Sequence, residues 1–93
     1  MNNNPITQAF KELRKLGYTA YQGIRYNEAF ILSGLCDKLV FYYEHERKKL
    51  RENGTVYIKW QGDPKIIMDV LERNGIKNEW NGKKKSAIKI KIS

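Results

Sequence analysis

Two stretches of the chain repeat apolar residues at spacings of three and four, and both are bracketed by the same punctuation. In the first, Asn4-Pro5 supplies an N-cap and a proline at the first helical position, where a missing N–H costs nothing. Ile6, Ala9, Phe10, Leu13 and Leu16 then share one face, and Gly17 ends the run. In the second, Asp63-Pro64 opens a stripe of Ile66, Ile67, Val70 and Leu71 that stops at Asn74-Gly75. The spacing predicts a helix over each. Period two governs other stretches. "KLVFYYEHE" puts Leu39, Phe41 and Tyr43 on one face of a strand and Val40, Tyr42 and Glu44 on the other. "TVYIKWQ" turns Val56, Ile58 and Trp60 inward and Tyr57, Lys59 and Gln61 outward, while "SAIKIKI" alternates Ile88, Ile90 and Ile92 against Lys89 and Lys91.

Between the first two strands, "ERKKLRENG" breaks the alternation and ends in the turn signal Asn53-Gly54, so an antiparallel hairpin with a long charged connection is expected. "YTAYQGIRYNEAFILSGLC" has no dominant period. Its first half suits an irregular strand broken by Gly23, with Tyr18, Tyr21 and Tyr26 half-buried; "NEAFILSG" suits either a strand or a single helical turn. The expected fold is α+β, with two helices packed on one face of a mostly antiparallel four- to five-stranded sheet.

Length and composition narrow the function classes. A chain of 93 residues makes one domain, spanning 1–93. A domain this small buries only ~60 to 65% of its unfolded surface, so a shallow groove or flat face is easier to build than an enclosed cavity. Cys36 is the lone cysteine, which excludes an internal disulfide or a cysteine metal cluster and favours a reducing cytoplasm. The opening "MNNNPITQAF" has no export pattern, and no apolar run approaches ~18 residues, so a cytoplasmic protein without a membrane partner is expected.

"VLERNGIKNEWNG" and what precedes it resemble a family of uncharacterised bacterial domains of unknown function. Such domains end in a helix, a Gly-hydrophobic pair, a Trp-x-Gly turn and a short alternating strand; here these are Leu71 to Ile76, Trp80 to Gly82, and Ile88 to Ile92. The family's aromatic strand and short following strand match "LVFYYEHE" and "TVYIKWQG", and the resemblance covers residues 38–92. Two departures stand out: Cys36 replaces the family's paired cysteines, and Tyr43 stands where the family has histidine, His45 following two residues later. The resemblance implies a small α+β fold and little about function, since the family has no assigned activity.

The one histidine is the natural test for catalysis. A general base needs an oriented imidazole in a water-poor site. His45 lies where the strand gives way to charge, and alternation would send Glu44 and Glu46 to the opposite face, away from the ring. No spacing makes Asp37, Glu44, Glu46 and Asp63 converge, Cys36 has no positive neighbour, and phosphate-loop, zinc and nucleophile-elbow motifs are missing from the sequence. A non-enzymatic protein needing no cofactor is expected, an enzyme using His45 and nearby carboxylates being the least favoured class.

Charge points to binding instead. Residues 1–46 carry five Lys/Arg and five Asp/Glu, whereas residues 47–93 carry thirteen and five, so the net charge of +8 sits in the second half. The candidate surface gathers Lys59, Lys89 and Lys91 beside Tyr42 and Tyr57, with Arg47, Lys48, Lys49, Arg51, Lys83, Lys84 and Lys85 at its rims. Such a surface attracts an acidic protein, and the expected role is a regulator, inhibitor or immunity-type factor. Lysines interleaved with tyrosines also suit single-stranded nucleic acid, charge for phosphates and rings for bases. Trp60 is expected as a core anchor and Trp80 over the sheet edge. The chain is expected as a monomer, or as a homodimer if "SAIKIKI" is an uncovered edge.

Overall fold

The computed structural model describes residues 4–92. Helix α1 (Pro5–Lys15) starts where the Asn4 side chain accepts the Ile6 N–H at 2.8 Å, and α4 (Pro64–Arg73) starts with Asp63 accepting from Lys65 N at 2.9 Å. Both caps are those expected from Asn-Pro and Asp-Pro, since each side chain satisfies one of the orphan donors of a first turn. Between them run strand β1 (Thr19–Ile24), helix α2 (Tyr26–Leu35), strand β2 (Leu39–Tyr43), helix α3 (Glu46–Asn53) and strand β3 (Thr55–Gln61). Strands β4 (Lys77–Glu79) and β5 (Ile88–Lys91) follow α4.

The fold is α+β, as expected, with a five-stranded sheet in the order β1-β2-β3-β5-β4. Only β1 and β2 pair in parallel; the other three pairings are antiparallel. The face carrying Ala20, Val40, Tyr42, Val56, Ile58, Ile88 and Ile90 is covered by α1 and α4, which bury Ile6, Ala9, Phe10, Leu13, Ile67, Val70 and Leu71 against it. Arg73 of α4 pairs with Glu12 of α1 across the top of this layer.

Four helices replace the two that periodicity predicts. The charged connection after β2 is α3, built from good helix formers, with Leu50 packed on the main core and Gly54 closing it at φ 68°. The ambiguous "NEAFILSG" belongs to α2, which sits on the opposite face from α1 and α4. There Ala29 and Leu32 join Ile24, Leu39 and Phe41 in a second small core over β1 and β2. Strand β5 lies between β3 and β4, so the terminal strand is not the open edge.

The sheet has two edges, the three-residue β4 and the longer β1, and β1 is blocked. Thr19 N donates to Lys38 O, so Ala20 and Gln22, of opposite parity, turn their carbonyls outward. Arg14 donates to Ala20 O through Nε and Nη2 at 3.2 and 2.7 Å, and Arg47 Nη2 donates to Gln22 O at 3.1 Å. Gly23 makes room for that second arginine: a Cβ there would stand 2.1 Å from Arg47 Nε, and its φ of 73° suits glycine. Guanidinium groups on outward carbonyls deny the edge to another strand.

Tyr18 ties the two principal helices together. It is buried, not half-wet; its hydroxyl donates to Asp63 O at 3.2 Å and accepts from Asp63 N at 2.9 Å, fastening the end of α1 to the start of α4. Tyr18→Phe leaves that N–H unpaired and is expected to cost ~1 to 3 kcal/mol in urea unfolding. An unchanged midpoint would show that the bond does not hold the helices together.

Candidate binding face

Register decides which side chains share the uncovered face. Phe41 pairs with Lys59 across β2 and β3, Tyr57 with Lys89 across β3 and β5, and Lys89 with Glu79 across β5 and β4. One step along, Thr55 pairs with Lys91 and Lys91 with Lys77. Lys59, Lys77, Lys89 and Lys91 are therefore exposed on one side of the sheet together with Tyr57, and Glu79 is the acidic residue among them. A shallow groove of about 390 Å³ runs between Tyr57, Lys89, Glu79, Trp80, Asn81 and Ala87.

The expected tyrosine partner is corrected by the same register. Val40, not Phe41, faces Trp60, so Tyr42 falls on the helix-covered side, where it is buried and its hydroxyl donates to Gln22 Oε1 at 3.0 Å. Tyr43 takes the place beside the lysine face. Its ring meets Tyr26 of α2 at 4.5 Å between centroids and His45 at 5.5 Å, forming an aromatic cluster over a groove lined by Ile24, Arg25 and Asn27. Tyr26 was expected on a strand; only the helical form of α2 carries it here.

The basic residues of α3 divide differently. Arg47 is spent on the β1 edge, and Lys49 Nζ lies 3.2 Å from Glu46 Oε2. Lys48 and Arg51 are exposed on a helix whose Leu50 packs with the α1 and α4 core, and the register does not join them to the sheet lysines. In the turn before β5, Lys83, Lys84 and Lys85 are all exposed. Lys85 and Lys59 line one small groove with Ser33 of α2, and Lys84 lines the next with Trp60 and Gln61. Trp60 is half-buried, donates to Ser86 O at 2.7 Å and meets Trp80 edge-on at 5.6 Å, so the two tryptophans hold this turn over the sheet.

His45 does approach a carboxylate, contrary to the alternation argument, because the strand stops at Tyr43. His45 Nε2 is 3.7 Å from Glu46 Oε2. Yet Glu46 is nearly fully buried, and its Oε1 accepts the Tyr57 N–H at 3.0 Å where β2 has ended and β3 lacks a strand partner on that side. That carboxylate completes the sheet, with Lys49 balancing its charge. Among the described residues no three His, Cys, Asp or Glu side chains gather as a metal site. No helix among them is long and apolar enough to cross a membrane. Compared with family models, curated proteins and solved structures, the chain gives no match.

Burial pushes the Tyr42 hydroxyl above its ordinary value, against the opposing pull of the Arg47 guanidinium. Above the ordinary tyrosine value of about 10, the unfolded chain releases this proton while the folded chain keeps it. The unfolded state then binds fewer protons, and stability falls as pH rises. Tyr42→Phe is expected to lose about 0.5 to 1.5 kcal/mol at neutral pH. It should also flatten the alkaline loss of stability, followed by urea unfolding between about pH 9 and pH 11. Parallel alkaline slopes in wild type and variant would contradict the assignment.

Proposed function

We propose that the chain is a small non-enzymatic interaction protein, of the regulator, inhibitor or immunity kind, which takes an acidic protein on its uncovered sheet face. The observation that carries this is the row of Lys59, Lys89, Lys91 and Lys77 around exposed Tyr57, with Glu79 as the acidic residue among them. Lysine ammonium groups on a rigid sheet draw in and orient an acidic surface over a Debye length, and an amphipathic tyrosine gives the contact an anchor. The commitment of the Glu46 carboxylate to Tyr57 N and Lys49 supports a structural role for the His45 region in place of catalysis. The single, half-buried Cys36 supports a reducing cytoplasm.

Single-stranded nucleic acid is the second reading, favoured by one observation. The rings of Tyr43, Tyr26 and His45 cluster at the end of β2, and Tyr57 stands directly opposite Lys89, which sets aromatic surface beside charge.

Two assays on the same variants separate the readings. In a pull-down, an acidic protein is expected on immobilised wild type and lost from the triple variant Lys59→Glu, Lys89→Glu, Lys91→Glu. Lys65→Glu, on exposed α4, should retain it. In fluorescence anisotropy with labelled single-stranded DNA and RNA, weak binding is expected at ~50 mM salt, disappearing by ~200 mM. Tight nucleic-acid binding that Tyr57→Ala abolishes would replace the first reading with the second. Retention of the protein partner by the triple variant would remove the sheet face from either.

A further inference from the structure

Helix α2 carries large apolar residues on its solvent side as well as on its buried side, interrupted by exposed Asn27, Glu28 and Ser33. Ala29 is buried and Leu32 half-buried on the side facing β1 and β2, whereas Phe30 is 83% exposed, Leu35 77%, Tyr26 65% and Ile31 59%. Monomeric proteins rarely leave a cluster of exposed apolar side chains of this size open. With 3.6 residues per turn, the pole opposite Ala29 and Leu32 is occupied by Asn27 and Gly34, flanked by Phe30 and Ile31.

Gly34 is the second observation. It does not have the positive φ that requires glycine elsewhere in the chain, and a Cβ built on it would meet nothing within 4 Å. Glycine inside a helix is unfavourable, and no contact among the described residues accounts for it. A backbone approaching closely from outside would. Phe30 and Ile31 on either side of a glycine form two ridges and a gap, the shape a second helix needs for close contact.

Charge selects the occupant. Residues 26–37 are the longest stretch of this +8 chain without Lys or Arg, and they contain Glu28 and Asp37. An acidic protein is drawn to the lysine face instead; a second basic chain can approach only through a surface like this one. The ends of α2 are also complementary: exposed Arg25, which lies 3.3 Å from Glu44 in its own chain, precedes the helix and exposed Asp37 follows it. Laid antiparallel about a two-fold axis, two such helices set each Arg25 near the other copy's Asp37 and oppose their dipoles.

We propose that α2 is a homodimer interface, in which Phe30 and Ile31 of each copy pack across Gly34 of the other. The contact leaves the lysine face free and does not depend on what binds there. It also differs from strand-edge pairing, which the capped carbonyls of β1 and the three-residue length of β4 at the other edge disfavour.

Sedimentation velocity from micromolar to sub-millimolar protein tests it. Wild type should dimerise, and more tightly as salt rises, because screening reduces repulsion between two +8 chains. Phe30→Asp should raise the dissociation constant by about tenfold or more. Gly34→Gln should do the same while leaving the thermal midpoint of the dilute monomer unchanged or higher, since glutamine favours a helix more than glycine does. That pairing of a sturdier monomer with a weaker dimer is not produced by misfolding. Wild type that stays monomeric throughout overturns the proposal, as does a dimer that both substitutions leave intact. So does protection of α2 amides from hydrogen exchange that appears only on adding the acidic protein, which would assign the patch to that partner.

Discussion

Because successive side chains of a strand point to opposite faces, burying Val56 and Ile58 of β3 with Ile88 and Ile90 of β5 forces Tyr57, Lys59, Lys89 and Lys91 onto the other side. Full burial of each aliphatic side chain contributes about 1.5 to 3 kcal/mol, and a slip of one residue would exchange them for Tyr57, Lys59, Lys89 and Lys91. The register is thus fixed by the core, and the layout of the basic face follows from it. Glu46 defends the same arrangement from the side, supplying an acceptor to Tyr57 N where β2 has run out.

Chain handedness explains why only part of that second face is open. β1 and β2 are parallel neighbours joined through α2; β3 and β4, with β5 inserted between them, are also parallel and joined through α4. Both crossovers step the same way across the sheet, but their strands run in opposite directions because β2 and β3 are antiparallel. Two crossovers of one hand then require helices on opposite faces. Accordingly α4 joins α1 over the main core, and α2 is left alone on the far side over β1 and β2. The lysine face is the part of the sheet that α2 does not cover, Ser33 reaching only its rim beside Lys59 and Lys85, and among the described residues α2 has no helical neighbour on that side.

The parts of this fold legible in sequence are those where one period dominates a stretch bounded by strong signals. α1 and α4 have a proline start and a glycine stop, and β3 and β5 alternate strictly. The inward phase of β3 and the outward lysines of both strands were readable for that reason. α3 was not, because a single apolar residue, Leu50, cannot establish a period, and Asn53-Gly54 signals a helix end as readily as a hairpin turn. α2 failed for the opposite reason: Tyr26, Phe30, Ile31 and Leu35 on its solvent side and Ala29 and Leu32 on its buried side leave no apolar contrast between faces. In β2, where Leu39, Val40, Phe41 and Tyr42 are all buried, alternation divides the residues correctly but cannot say which set meets the lysines. Alternation alone leaves Tyr42 a candidate for the lysine face; the pairing of Phe41 with Lys59 puts Tyr43, of the same parity as Phe41, there instead.

The claim on which the account stands is that the open half of the sheet, and not the helical layer, meets the partner. Backbone amide shift mapping, with polyglutamate titrated into labelled protein at low salt, addresses it directly. Shifts concentrated at Tyr57, Lys59, Lys77, Lys89 and Lys91, fading as salt is added, are the predicted result. Shifts concentrated on α1, α3 and α4, with the sheet lysines unmoved, would contradict it.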